Sequence, residues 1–447
     1  MIDLEQVRDN DIEKINSIIN VYKKLYLVVG AVVLGIGLCI IPFLKYIVTD
    51  IQGVDVNITI AYLFSLFTTA SSYVCSYRNI LFTVYQQQYK ESIINFITTL
   101  LGLLLQIVTI LIFKNYYAFL VASFVSGLLS NLVLFGLSTK YYQHVKTKNA
   151  VKLDSETKLS LKNNIKGMFF HKLSYAVLQG TDSIIISAFV STTILGIYSN
   201  YLTFTNNLLV IFTTISIAIM GSVGNLIAED NKQKSYEIFK YLRFAFFWLA
   251  GFCAIGLFCL LNPTITIWAK ISSWDANTTW TFDLFTVFII SFNFYINSSR
   301  IITGTFRSAI GMFNKDKWKG LIEAILNIIF SLIFVKFFGI AGVLMGTILS
   351  VCFSSIIVDP YMLYKYHFEK PVKYQFSYIL IYSLAVLVVG FLTYFLCSLI
   401  PGLGVVSFIY KLLICLVVPN VLFLLLSFKT KEFKGLLNMA KSLFKKK

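Results

Sequence analysis

Runs of about 20 apolar residues, separated by short polar connections, recur from one end of the chain to the other. A helix of that length crosses a bilayer core of about 30 Å. By this ruler twelve spans are expected, near 24–47, 58–82, 92–113, 116–138, 168–190, 196–222, 244–268, 281–306, 320–338, 340–358, 375–397 and 405–427. The runs are continuous, whereas the strands of a membrane barrel alternate at period two. The expected fold is therefore all-α, a polytopic membrane bundle of about 12 transmembrane helices. Composition points the same way. Of 447 residues, 57% are apolar and only 13% charged, against about 25% charged in an ordinary soluble domain. A water-soluble enzyme of this length could not cover its surface with so few charges.

The charges that remain are lopsided, with 38 Lys+Arg against 21 Asp+Glu for a net +17. A nucleic-acid binder carries such an excess on a soluble fold. Here the basic residues lie between apolar runs, so no nucleic-acid partner is expected and the charge reads as topology. With the N-terminus, the even-numbered loops and the C-terminus assigned to the cytoplasm, 31 of the 38 Lys+Arg fall inside. Lys45, Lys114, Lys270 and Lys336 fall outside, and Arg78, Arg300 and Lys411 lie at membrane depth. The longest inner loop, 140–167, is rich in lysine and suits anionic lipid head groups. The mixed-charge first twenty residues have no apolar core of a signal peptide, so the first span is expected to direct its own insertion. The seven cysteines all fall in apolar segments without a CxxC pair, and read as small packing residues. No metal or cofactor is expected.

An internal repeat is legible. At an offset of 221, Asp9-Asn10 meets Asp230-Asn231, Gly30 meets Gly251, Gly35 meets Gly256 and Pro42 meets Pro263. At an offset of 222, Tyr73 meets Tyr295, Ser76 meets Ser298 and Arg78 meets Arg300. Both copies have the same orientation, which is the parallel kind of repeat found in secondary transporters. Two spans precede the Asp230 segment but none precedes Asp9, so a full-length relative is expected to carry two further N-terminal spans. The expected divisions are an N-terminal bundle (1–139), a basic loop (140–167), a six-helix bundle (168–358), two extra spans (359–428) and a basic tail (429–447).

Polar residues at membrane depth need a reason, because a centrally placed Arg costs about 2.5–3.5 kcal/mol to insert. Asn293, Asn297, Arg300, Gly304 and Arg307, spaced 4, 3, 4 and 3, draw one stripe along a helix. Ser71, Cys75 and Arg78 do the same in the repeat partner. Repeat symmetry suggests that Arg78 and Arg300 face a common cavity. Arginine suits bidentate binding of phosphate, so the functional reading is an anion site; the alternative is snorkelling to inner head groups. Asp182, near Gln179, Ser183 and His171, is a candidate for a coupling ion or an ion-pair partner of an arginine. Asn200, Thr203 and Asn207 stripe the next span, where they suit a sugar or act as interhelical glue. Glu323 reads as interfacial. The four repeat glycines are expected at close helix contacts, and Pro42 and Pro263 at kinks or helix ends. Residues 10–22, the stretch after Asp230 and the tail from Phe433 read as amphipathic helices lying on the inner surface.

The stretches GTDSIIISAFVSTTILGIYSNYLTFTNNL (180–208) and SVGNLIAEDNKQKSYEIFKYL (222–242) resemble the oligosaccharide flippases of the multidrug/oligosaccharidyl-lipid/polysaccharide exporter superfamily. Members typically have fourteen spans, so the chain looks N-terminally truncated relative to a two-bundle fold. The resemblance implies alternating access and translocation of undecaprenyl-pyrophosphate-linked oligosaccharide across a bacterial cytoplasmic membrane for capsule, exopolysaccharide or cell-wall polymers. It implies membrane lipids, a polysaccharide polymerase and glycosyltransferases as partners. On this sequence the pyrophosphate-holding role falls to Arg78, Arg300 and Arg307. A cation-coupled multidrug exporter or a lipid II flippase of the same fold is the alternative. A membrane polymerase is disfavoured, since no loop holds a catalytic pair of carboxylates.

Overall fold

The computed structural model describes residues 9–49, 56–85, 87–145, 159, 176–178, 180–229, 231–272, 274, 279–311, 318–402 and 404–445. The expectations placed on His171, Gln179, Asp230 and most of the lysine-rich loop lie outside these residues. Helix is the dominant state of the described residues, and they contain no strand. The chain divides into two compact units, Met1–Lys166 and Gly167–Lys447.

In the first unit, α1 (Asp9–Ile40) ends in a 3-10 turn, Ile41–Phe43, with Pro42 near its start, followed by α2 (Leu44–Ile47). Next come α3 (Ile58–Ser76), α4 (Ile80–Val84), α5 (Gln88–Phe113) and α6 (Tyr116–Tyr141). Asparagine starts two of them: the Asn57 and Asn115 side chains accept from the backbone N–H of Ile60 and Tyr117. Small residues let the helices approach, as expected where lipid supplies no hydrophobic drive for helix association. A Cβ at Gly30 would lie 3.1 Å from Tyr73 of α3, and one at Gly102 would lie 3.0 Å from Ser126 of α6. The buried core here is small: Ile19, Tyr77, Leu81, Phe82, Leu134, Tyr142 and Val145.

The second unit holds α7 (Ala176–Phe189), α8 (Thr192–Ala228), α9 (Lys232–Ile271), α10 (Leu284–Ser299), α11 (Ile301–Ile310), α12 (Lys319–Phe353) and α13 (Ser355–Leu363). A π turn over Tyr364–Phe368 leads to α14 (Lys373–Ser398), α15 (Val405–Ser427) and α16 (Lys431–Lys445). Within α12, Gly339 leaves helical geometry with φ 55° and ψ −130°, and the two arms fold back on each other. The Ser331 hydroxyl donates to the Val343 carbonyl at 3.1 Å. A Cβ at Gly342 would sit 2.1 Å from the Phe334 carbonyl oxygen, and one at Gly346 2.5 Å from the Ser331 nitrogen. Only glycine permits that approach.

Among the described residues, ten helices are long and apolar enough to cross a membrane. One of them, Lys319–Phe368, contains the Gly339 reversal, and Ala176–Phe189 is a shorter apolar helix. With these two the count reaches the expected twelve.

Three local expectations are corrected. Residues 10–22 and 232–242 are not separate surface helices: they run without a break into α1 and α9. No Gly or Pro interrupts either stretch, so nothing stops the helix. At 1.5 Å per residue α9 is about 60 Å long, twice the bilayer core. The tail helix α16 packs on α9, with Phe433 stacked on Trp248 at 6.0 Å and Gly435 against Tyr241. Of the four repeat glycines, Gly30 and Gly251 do meet neighbours, but Gly35 and Gly256 have nothing within 4 Å. Gly37, facing Leu66, makes the contact assigned to Gly35.

Candidate functional site

Arg300 occupies a break between α10 and α11, with φ −81° and ψ −13°. Its repeat partner Arg78 lies in the turn between α3 and α4. The same arginine therefore marks the same interruption in both units.

Around Arg300 the second unit assembles a charged network. Asn297 accepts from the guanidinium at 3.0 Å and donates to Asn293 at 2.7 Å, so part of the expected stripe is one hydrogen-bonded chain. Glu323, from the start of α12, lies 3.8 Å from the guanidinium. Its other oxygen accepts from Ser354 and Ser355, each at 2.5 Å. Glu323 is buried at 4% exposure. This corrects the interfacial reading: a carboxylate with a cation and two hydroxyls to satisfy it can sit inside the bundle. Arg307 lies 3.3 Å from Asp359, which also accepts from Lys319 at 2.7 and 2.8 Å. Arg307 and Lys319 are thus bound closely to one carboxylate. Arg300 is held loosely, because hydroxyls already satisfy Glu323.

Arg243 of α9 adds a further cation. It donates to Tyr364 Oη at 2.9 Å and to Gln375 Oε1, and its guanidinium lies 3.5 Å from the centre of the Tyr378 ring. No carboxylate pairs with it among the described residues. Arg243, Arg300, Ser299, Thr303, Asp359 and Gln375 line one cleft, with Tyr378 and Tyr382 as its aromatic wall. Its free space of about 40 Å3 holds a few waters. Four cations against two carboxylates leave this region positive, and the two cations at the cleft are the least compensated. Chemically the arrangement suits an oxyanion.

Arg78 is placed differently. It is buried, and its guanidinium donates to the Tyr142 and Val145 carbonyls at 3.3 Å each. Ser138 donates back to the Arg78 carbonyl at 3.2 Å. These bonds clamp the carbonyl-bearing end of α6 to the α3–α4 turn, where a cation also opposes the helix dipole. Beyond the helix end, His144 accepts from or donates to Tyr85 at 2.7 Å. Partial burial pushes its imidazole below the usual value, and the Arg78 charge adds to that.

Asp182 has neutral partners among the described residues: Thr347 donates to it at 2.7 Å and Asn327 at 3.3 Å. Asn327 also donates to Thr347 at 2.9 Å. The Asn327 Oδ1 is buried without a hydrogen-bond donor. With Ser331 and the Val343 carbonyl one turn away, α7 and both arms of α12 converge as a nest of oxygens. Oxygen nests of this kind suit a hard cation.

Asn200 and Asn207 lie along α8, bonded to the backbone one turn back at Gly196 and Thr203. Ser199, Thr203, Asn207 and Thr214 form an exposed polar face on this helix.

The structure brings Asn293, Asn297 and Arg300 into one chain and pairs Arg307 with Asp359, which lines the same cleft as Arg300. Asn200 and Asn207 stand on α8, and Arg78 in the other unit. Sequence reading missed Arg243, Lys319, Asp359, Asn327 and Thr347. For Asp359 the signal was present, since an isolated acid against an apolar run calls for an intramembrane partner.

The family model described as polysaccharide biosynthesis protein matches residues 6–220. No curated protein matches. A solved structure titled "Lipid II flippase MurJ, inward closed conformation" is similar with a TM-score of 0.64 and 17% identity, over 94% of this chain and 85% of that one. At that identity the likeness establishes the fold. The family model thus matches the N-terminal part of the chain, and the fold is that of the similar flippase structure.

Proposed function

We propose that this chain is a flippase for undecaprenyl-pyrophosphate-linked oligosaccharide repeat units, working by alternating access in a bacterial cytoplasmic membrane with both termini inside. The matching family is one of polysaccharide biosynthesis proteins, and the similar structure is by its title a flippase for another lipid-linked substrate. The observation that carries the reading is the cationic cleft. Arg300 keeps a third of its side chain exposed and Arg243 has no carboxylate, so both can hand hydrogen bonds to a pyrophosphate. The amide and hydroxyl face of α8, with Asn200 and Asn207, offers partners for sugar hydroxyls. Arg307 is neutralised by Asp359 beside the cleft, and Arg78 secures the matching turn in the first unit. The oxygens around Asp182 fit a coupling cation. One carboxylate there balances one charge, which favours sodium or a proton over a divalent ion. Glycosyltransferases that build the lipid-linked unit and a polymerase that consumes it are the partners this activity requires.

The test is deletion of the gene followed by assay of the sidedness of the lipid-linked oligosaccharide. Accumulation on the inner leaflet with loss of surface polymer is expected. Wild type restores export, Arg300→Lys restores part of it, and Arg300→Ala or Arg243→Ala does not. Unchanged export together with altered drug sensitivity would overturn the proposal and move the chain to the multidrug branch.

A further inference from the structure

We propose that Cys259, Cys397 and Cys415 form a three-sulfur site for one copper(I) ion that ties the α14–α15 pair to α9. The residues come from three different helices, and all three are buried. Their sulfurs lie within 4.8 Å of one another, with Cys397 and Cys415 Sγ 3.8 Å apart. Metal–thiolate bonds of about 2.3 Å set the sulfurs of a trigonal site about 4 Å apart. An ion therefore fits with small side-chain adjustments and no movement of the helices. Sequence spacing gives no hint of this, since the three positions share no motif.

The donor set selects the metal. Among the described residues no His, Asp or Glu joins the group. Structural zinc takes four ligands, whereas an all-sulfur site of low coordination suits a soft d10 monovalent ion, copper(I). Each sulfur that binds as thiolate gives up its proton, so loading releases protons and weakens as pH falls. Cys397 Sγ contacts the Lys411 carbonyl at 3.9 Å, and the Lys411 ammonium rests 3.5 Å from the Gly402 carbonyl. A cleft of about 240 Å3 between α8, α9 and α15 reaches Cys415 and provides a path of entry. The same three helices also meet through apolar packing, as where Gly251 meets Val386 and Phe423.

The experiment is titration of the full-length, detergent-solubilised protein with copper(I) against bicinchoninate, under reducing, oxygen-free conditions. One copper per chain is expected, with only sulfur neighbours in the X-ray absorption spectrum and a higher melting temperature when loaded. Cys259→Ser, Cys397→Ser and Cys415→Ser each lower affinity at least tenfold, while Cys253→Ser and Cys352→Ser do not. If a serine variant fails to fold, the wild-type titration and spectrum still decide. The proposal is overturned if wild type yields all its copper to the chelator, if oxygen or nitrogen neighbours dominate, if the triple serine variant binds as wild type does, or if zinc(II) is held in preference.

Discussion

Asp359 is the carboxylate on which the charged network turns, and its removal makes a quantitative test. It accepts from Lys319 at 2.7 and 2.8 Å and lies 3.3 Å from Arg307, and side-chain exposures of 7%, 12% and 17% put all three inside the bundle. Asp359→Asn keeps the volume and deletes the charge, leaving two buried cations facing each other without a counter-ion. Breaking a buried pair by removing one partner costs about 3–5 kcal/mol. Adding Lys319→Met leaves one unpaired cation, Arg307, instead of two, so the double variant is expected to regain part of the loss. The assay is equilibrium unfolding in mixed detergent and SDS micelles, followed by near-ultraviolet circular dichroism of the tyrosines and tryptophans. A single-variant loss below about 1 kcal/mol, the size of an exposed ion pair, would refute the reasoning. So would a double variant less stable than the single one.

The Gly339 reversal predicts a contrast within one residue type: Gly342→Ala drives a Cβ to 2.1 Å from the Phe334 carbonyl oxygen and destabilises the bundle by several kcal/mol, whereas Gly221→Ala meets nothing within 4 Å and leaves the melting temperature within a degree or two. Equal melting temperatures for the two would reject the close packing of the α12 arms. Asp182→Asn and Thr347→Val are each expected to remove any sodium-induced rise in melting temperature, and a full sodium response in both would detach the ion from that nest. Acidification should loosen the α6 end of the first unit. The His144 imidazole titrates below its ordinary value when folded, so the unfolded chain binds more protons between the two values. Its contribution is complete above the ordinary value of about 6.5 and is lost as pH falls from there through the lowered folded value. Amide exchange over residues 80–85 and 138–145 should therefore be faster at pH 5.5 than at pH 7.5, after correction for intrinsic rates; slower exchange at pH 5.5 would be the contrary result.

Span count, helical class and the repeat were legible because each rests on a local rule. Continuous apolar length specifies a membrane helix wherever it occurs, and the offset that pairs Arg78 with Arg300 needs no tertiary information. The structure adds that both arginines sit at helix interruptions, a feature invisible to residue identity since neither position carries Gly or Pro. What sequence could not supply was pairing across distance. Arg300 and Arg307 share a helical stripe with Asn293 and Asn297, and from the stripe alone they looked like uncompensated cations awaiting an anion. Their partners Glu323 and Asp359 lie elsewhere in the chain and meet them only through the fold.

That pairing changes the electrostatic argument for substrate binding. A membrane bundle cannot keep several bare guanidinium groups, because each costs kilocalories to bury. It can keep them when carboxylates carry most of the load and hydroxyls satisfy the carboxylates in turn, as Ser354 and Ser355 do for Glu323. Competition among donors then decides which cation is available. Asp359 is saturated by Lys319 and Arg307 at short distance, while Glu323 has two hydroxyls nearer than Arg300 at 3.8 Å. On the proposed function, an incoming oxyanion would take Arg300 at little cost to the network, and Arg243, already desolvated and held only by neutral partners, would gain its first counter-charge. By the same logic, Ser354→Ala with Ser355→Ala should weaken anion binding without touching any cation, since Glu323 stripped of its hydroxyls would draw Arg300 closer. Proteoliposome export that is unchanged in that double variant would show that Arg300 availability is not set by Glu323.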